Sequence, residues 1–175
     1  MSGVRIPTAV LDTNVLLDLW LFDDPSVRRL RAAIEQGTLR VLRSAECDAE
    51  FGQVIGRAQF GLDEPARARM LSRWTACSEA IAQVRPAPLA CADASDQKFL
   101  DAAFSAGAEL LLTRDKALLG LARRAEAAGL RIASPALAMP YDRPAANPGR
   151  ASVPSPEHAA EGKGGGQAPV SAASR

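Results

Sequence analysis

The sequence predicts an α/β fold built on a mostly parallel sheet. Two observations carry that prediction. Short apolar runs alternate with helical patterns between about residues 6 and 138. Strands separated by helices imply right-handed crossovers, which make neighbouring strands parallel. The second observation is the stretch Val10–Trp20. The run Ala9-Val10-Leu11 stops at Asp12, and apolar residues then recur at helical spacing at Val15, Leu16, Leu19 and Trp20. This is the pattern of a buried strand turning straight into a helix. It places Asp12 at the carboxyl end of the strand, where open α/β sheets bind ligands. Short polar residues are also common helix caps, so Asp12 or Thr13 read alone is as well explained as an N-cap.

The remaining elements follow in order. The first strand covers Ile6 to Leu11 and the first helix continues to about Phe22. Asp23-Asp24-Pro25 reads as a cap with proline at the first helical position. The next helix carries Val27, Leu30, Ala33 and Ile34 and stops at Gly37; Leu39–Leu42 is a short strand. Ser44 caps a helix with Cys47, Phe51, Val54 and Ile55 on its apolar stripe, and Glu50 lies beside that stripe. After a stop at Gly61–Pro65, a long helix is expected to carry Met70, Trp74, Cys77 and Ile81 on one face and to end at Pro86 and Pro88. A loop over Ala90–Ser95 leads to a helix with Phe99, Leu100, Ala103 and Phe104, closed by Gly107. Glu109–Thr113 is a strand with an apolar centre, suited to burial on both faces. One helix is expected from Leu118 to near Gly129, a last strand at Leu130–Ile132, and a short helical turn after Ser134-Pro135.

Bulk properties narrow the classes. The chain has 175 residues, 47% hydrophobic and 23% charged, the balance of a soluble domain with a real core. Its formal net charge of +1 excludes a strongly basic protein. A local basic patch can still attract a phosphate backbone. Cys47, Cys77 and Cys91 show neither a CxxC nor a metal-ligand spacing, which points to reduced thiols. With no signal peptide and no long apolar run, the expectation is a cytoplasmic protein without a membrane partner. Residues 1–140 are read as one domain. Residues 141–175, rich in Pro, Gly, Ala and Ser, are read as a disordered tail. The lone histidine, His158, falls in that tail and is read as neither ligand nor base.

Asp12, Asp96 and Asp115 stand at comparable places: the end of a strand, the start of a helix, and the end of another strand. Parallel topology can bring all of them to one edge of the sheet. Clustered carboxylates repel unless a cation neutralises them. Oxygen-only donors suit Mg²⁺ or Mn²⁺, which activate water and stabilise phosphoryl transition states.

In the motifs Val10-Leu11-Asp12-Thr13-Asn14-Val15-Leu16, Glu50-Phe51 with Arg57 beyond, Asp93–Ala103 and Leu112-Thr113-Arg114-Asp115 with Leu118-Leu119, the chain resembles PIN domains. Within them it is most similar to the toxin components of bacterial toxin–antitoxin systems. The likeness spans roughly residues 6–138 in the family's order. It implies a three-layer fold with a four- to five-stranded parallel sheet, and a metal-dependent ribonuclease acting on single-stranded RNA. Asp12, Glu50, Asp96 and Asp115 match the family's four acids, with Asp12, Asp96 and Asp115 as metal ligands for Mg²⁺ or Mn²⁺. Asn14 and Thr113 match polar supports, and Asp93 an extra acid that is either a ligand or a loop cap. The resemblance also implies a cognate antitoxin partner, and homodimers are common in the family. Ala94-Ser95 departs from the more acidic loop usual here, and Arg114 replaces the usual Gly.

Two other readings compete. The altered Asp93–Asp96 loop suits a catalytically silent PIN module that binds RNA or a protein. A haloacid-dehalogenase-type phosphatase would also start with Asp at a strand end, but that chemistry wants a second acid where Asn14 stands. Arg57, Arg67, Arg69 and Arg73 are read as solvated helix faces, with RNA contact as the alternative. Asp18 and Asp101 are read as structural or surface residues.

Overall fold

The alternation of apolar runs and helical stripes produces one fully parallel sheet. The computed structural model describes residues 5–138. In chain order these form β1 (Thr8–Leu11), α1 (Thr13–Trp20), α2 (Arg28–Glu35), β2 (Arg40–Arg43), α3 (Ala45–Ile55) and α4 (Glu64–Ala76). There follow β3 (Ser78–Ala80), α5 (Gln97–Ser105), β4 (Leu110–Leu112), α6 (Lys116–Leu119), α7 (Ala122–Ala127), β5 (Arg131–Ala133) and α8 (Pro135–Ala138). The strand order is β3-β2-β1-β4-β5. The expected tail at 141–175 lies outside the described residues.

The side-chain period of two sends alternate strand residues to opposite faces. Ala9, Leu11, Val41, Leu110 and Leu112 pack with α1–α4 on one face. Val10, Leu42, Leu111 and Ile132 pack with Phe99 and Leu100 of α5, Leu118 of α6 and Ala125 of α7 on the other. Both faces of β1 and β4 are therefore buried, as their continuous apolar runs require. Cys47, Cys77 and Cys91 are free thiols. No helix among the described residues is long and apolar enough to cross a membrane.

Two elements differ from the sequence reading. The long helix does not reach Ile81: α4 stops at Ala76, and Ser78–Ala80 forms β3 against β2. The apolar spacing misleads because its members face different cores. Trp74, Met70 and Cys77 pack on the α1–α4 side, whereas Ile81 packs on the α5–α7 side. The switch is held by Ser78 Oγ donating to the Trp74 carbonyl at 2.5 Å and by Ile81 N–H donating to the Arg43 carbonyl at 2.8 Å. The helix expected from Leu118 onward is likewise broken at Gly120 into α6 and α7.

The register brings the first acid to its place. Leu11 lies opposite Leu112, and the Asp12 N–H donates to the Leu112 carbonyl at 2.9 Å. The chain leaves both strands at the same level, so the residues just beyond them share the carboxyl edge.

Candidate active site at the carboxyl edge of the sheet

Asp12 is 3% exposed and caps α1, its Oδ1 accepting the Asn14 N–H at 3.3 Å. Oδ2 accepts from the hydroxyl of Thr113, fully buried just past β4, at 2.7 Å. The same Thr113 oxygen accepts the Asp115 N–H at 2.9 Å. Thr113 thus ties together the two acids that follow adjacent strands. Asp115 caps α6, with Oδ1 accepting from Ala117 N–H at 2.6 Å and Leu118 N–H at 3.1 Å. Asp12 and Asp115 both cap helices, and each carboxylate keeps lone pairs beyond those its helix uses.

Glu50 reaches the pocket from α3. Thr13, the first residue of α1, donates its hydroxyl to Glu50 Oε1 at 2.8 Å, and Lys98 of α5 forms an ion pair with Oε2. Lys98 also donates to the Ser95 carbonyl and lies 5.1 Å from the Phe99 ring centroid. Asp96 opens α5 with no side-chain capping bond, and its carboxylate has no hydrogen-bond partner among the described residues.

The electrostatics show that these acids sense one another. Burial pushes Asp12 above the ordinary carboxylate range; the bonds from Thr113 and Asn14 oppose it, and Glu50 and Asp115 add to it. Asp96 is pushed up to about 6, first by burial, then by the charges of Asp115, Asp12 and Asp93, with Lys98 partly offsetting them. Lowering the charge of such a cluster takes either a proton or a cation. Among the described residues, no group of three or more His, Cys, Asp or Glu side chains is closed into a metal-holding arrangement. Instead Asp12, Glu50 and Asp115 are held by the hydrogen bonds named above, and Asp96 stands among the charges of Asp12 and Asp115 without such a bond. An all-oxygen donor set in which Asp12 and Asp96 are pushed toward their protonated forms is what a hard divalent cation relieves, so the chemistry of these residues fits one.

The model of the PIN domain family matches residues 8–117, which takes in every one of these acids. The chain belongs to the PIN domain family. That fold is generally a metal-dependent nuclease, with hydrolase chemistry. The crystal structure of PAE2754 from Pyrobaculum aerophilum is similar at 19% identity and a TM-score of 0.43, over 74% of this chain and 92% of that one. No curated protein matches.

Within this PIN domain, the structure brings Asp12, Glu50, Asp96 and Asp115 to one edge. The other sequence candidates stand differently. Asn14 supports Asp12 through its backbone N–H, while the residue itself is exposed. Asp93 is a loop cap: it accepts from the Ser95 N–H at 2.8 Å and hydroxyl at 2.7 Å, which hold it below the usual carboxylate range. Arg114 is bound to Asp18 at 2.5 Å and to the Ser26 hydroxyl at 2.7 Å, so it clasps α1 and the turn that follows it. Asp101 accepts the Ala87 N–H at 2.8 Å, a structural role within the structural-or-surface reading. Sequence reasoning missed Thr13 and Lys98, the partners of Glu50. A hydroxyl beside the first acid and a lysine two residues after the third were the available signals.

Proposed function

We propose that this PIN domain is a Mg²⁺- or Mn²⁺-dependent endoribonuclease that hydrolyses phosphodiester bonds of single-stranded RNA. The observation that carries the reading is Asp96: a partly buried carboxylate without a hydrogen-bond partner, facing the charges of Asp12 and Asp115. Asp12, Asp96 and Asp115 would hold the cation. When bound, a divalent ion activates water and stabilises the charge of a phosphoryl transition state. Thr113 fixes the direction of Asp12, and the backbone amides of Ala117 and Leu118 fix Asp115. Glu50, braced by Thr13 and Lys98, adds negative charge at the edge of the pocket. Hydrolysis would leave a 5′-phosphate and a 3′-hydroxyl.

The sequence resemblance supports a narrower role, the toxin of a type II toxin–antitoxin pair, working in the cytoplasm and silenced by a cognate antitoxin. Self-association into a homodimer is part of that reading. The test is cleavage of a single-stranded RNA oligonucleotide by the purified chain in Mn²⁺ or Mg²⁺. Cleavage that stops with EDTA and with Asp12→Asn supports the proposal; undiminished cleavage by Asp12→Asn rejects the mechanism. A chain that binds RNA yet never cuts it is the silent module. Expression of the wild type in cells, set against Asp12→Asn, tests the toxin role: growth arrest with RNA loss is expected from the wild type alone.

A further inference from the structure

A cleft of about 510 Å³ lies between α3 and the start of α5, lined by Glu46, Glu50, Gln53, Arg57, Ser95 and Lys98. It adjoins the acidic pocket rather than containing it. Glu50 and Lys98 pair on the lining of this cleft and also bear on the acids, Glu50 on Asp12 and Lys98 on Asp96. At the other end is Arg57, just beyond the α3 C-cap Gly56. Arg57 is exposed. It has no ion-pair or hydrogen-bond partner for its side chain among the described residues. Arg43, Arg73 and Arg114, in contrast, are each occupied by an acid.

Resting on the nuclease reading above, we propose that this cleft is the subsite for the nucleotide flanking the cleaved phosphodiester, with Arg57 as its phosphate anchor. Glu50 and Arg57 stand about two helical turns apart, or ~10 Å at the rise of an α-helix. That separation sets Arg57 apart from the acids, so it meets a flanking phosphate and not the one being cut. A planar guanidinium suits bidentate phosphate contact. Lys98 balances Glu50 where the strand would pass between the two sites, which lowers the repulsion between acid and RNA backbone. Gln53 offers an uncharged amide between the two ends, able to donate to or accept from a base or sugar edge.

The test uses the full chain carrying Asp12→Asn, so that RNA stays intact, and a fluorescein-labelled single-stranded RNA followed by anisotropy in Mg²⁺ at several salt concentrations. Adding Arg57→Ala is expected to weaken binding about tenfold, the worth of one charged hydrogen-bonded contact. It should also reduce the magnitude of the salt slope by about one. Arg57→Lys should recover part of the loss. Arg123→Ala, the same charge change on exposed α7, should leave binding unaltered. Equal losses from Arg57→Ala and Arg123→Ala, or no loss from Arg57→Ala, would overturn the subsite while wild-type cleavage left the nuclease reading standing. A wild type that neither cuts nor binds the RNA would remove both.

Discussion

Thr113 Oγ1 donates to Asp12 Oδ2 at 2.7 Å although the two residues are 101 positions apart. Because the same oxygen accepts the Asp115 N–H, one buried hydroxyl ties together two acids that follow adjacent strands. Thr113→Val preserves the shape but removes this hub. It should cost about 1–3 kcal/mol, the range for leaving buried partners unsatisfied. Cleavage should fall about 10–100-fold, as for outer partners of metal ligands. Thermal melting and kcat/KM on the same preparation check both.

Asp96 makes the stability of the metal-free protein depend on pH. Its folded pKa, about 6, lies above the ordinary value of 3.8. Between those values the folded state binds more protons than the unfolded, so stability falls as pH rises from about 4 through about 6. The melting temperature without metal should decline across that window, and Asp96→Asn should flatten the decline. Mn²⁺ affinity should run the opposite way, rising as Asp96 loses its proton.

Lys98 pairs with Glu50 and partly offsets the carboxylate charges around Asp96. Lys98→Gln should therefore tighten Mn²⁺ binding while weakening RNA binding. Calorimetry with Mn²⁺ and anisotropy with labelled RNA would show the two changes with opposite signs. A parallel loss in both would mean that Lys98 only holds the fold of the α5 start.

Trp74 of α4 is 1% exposed, and its indole Nε1 donates to Asp48 of α3 at 2.8 Å. Trp74→Ala should destabilise the protein by about 3–5 kcal/mol. Asp48 and Glu50 lie two residues apart on α3 and so on different faces of the helix, so denaturant unfolding should register the change far more than cleavage per folded molecule.

How much was legible in the sequence depended on whether a signal was local. The β1–Asp12–α1 turn was legible because an apolar run broken by an acid and followed by helical spacing has few other solutions. The β4–Asp115–α6 turn repeats it. Strand β3 was hidden because Ser78-Glu79-Ala80 is a short edge segment, and Ile81 continued the helical stripe by coincidence while packing on the other face. The Glu50–Lys98 pair and the Thr13–Glu50 bond were hidden because they join α3 to α5 and to α1, and no local pattern encodes that meeting. Asn14 is expected as a polar support, and it reaches Asp12 through its backbone N–H, because a helix N-terminus offers its amides whatever the residue.

The central claim is that Asp12, Asp96 and Asp115 together hold a divalent cation. The most direct measurement is calorimetric titration of the full chain with Mn²⁺, wild type beside Asp12→Asn and Asp115→Asn, with circular dichroism to show that each is folded. The account predicts saturable binding by the wild type, weakened by a hundredfold or more in either variant, given that outer-shell changes alone cost about 10–100-fold. Folded variants that bind Mn²⁺ as the wild type does would contradict it.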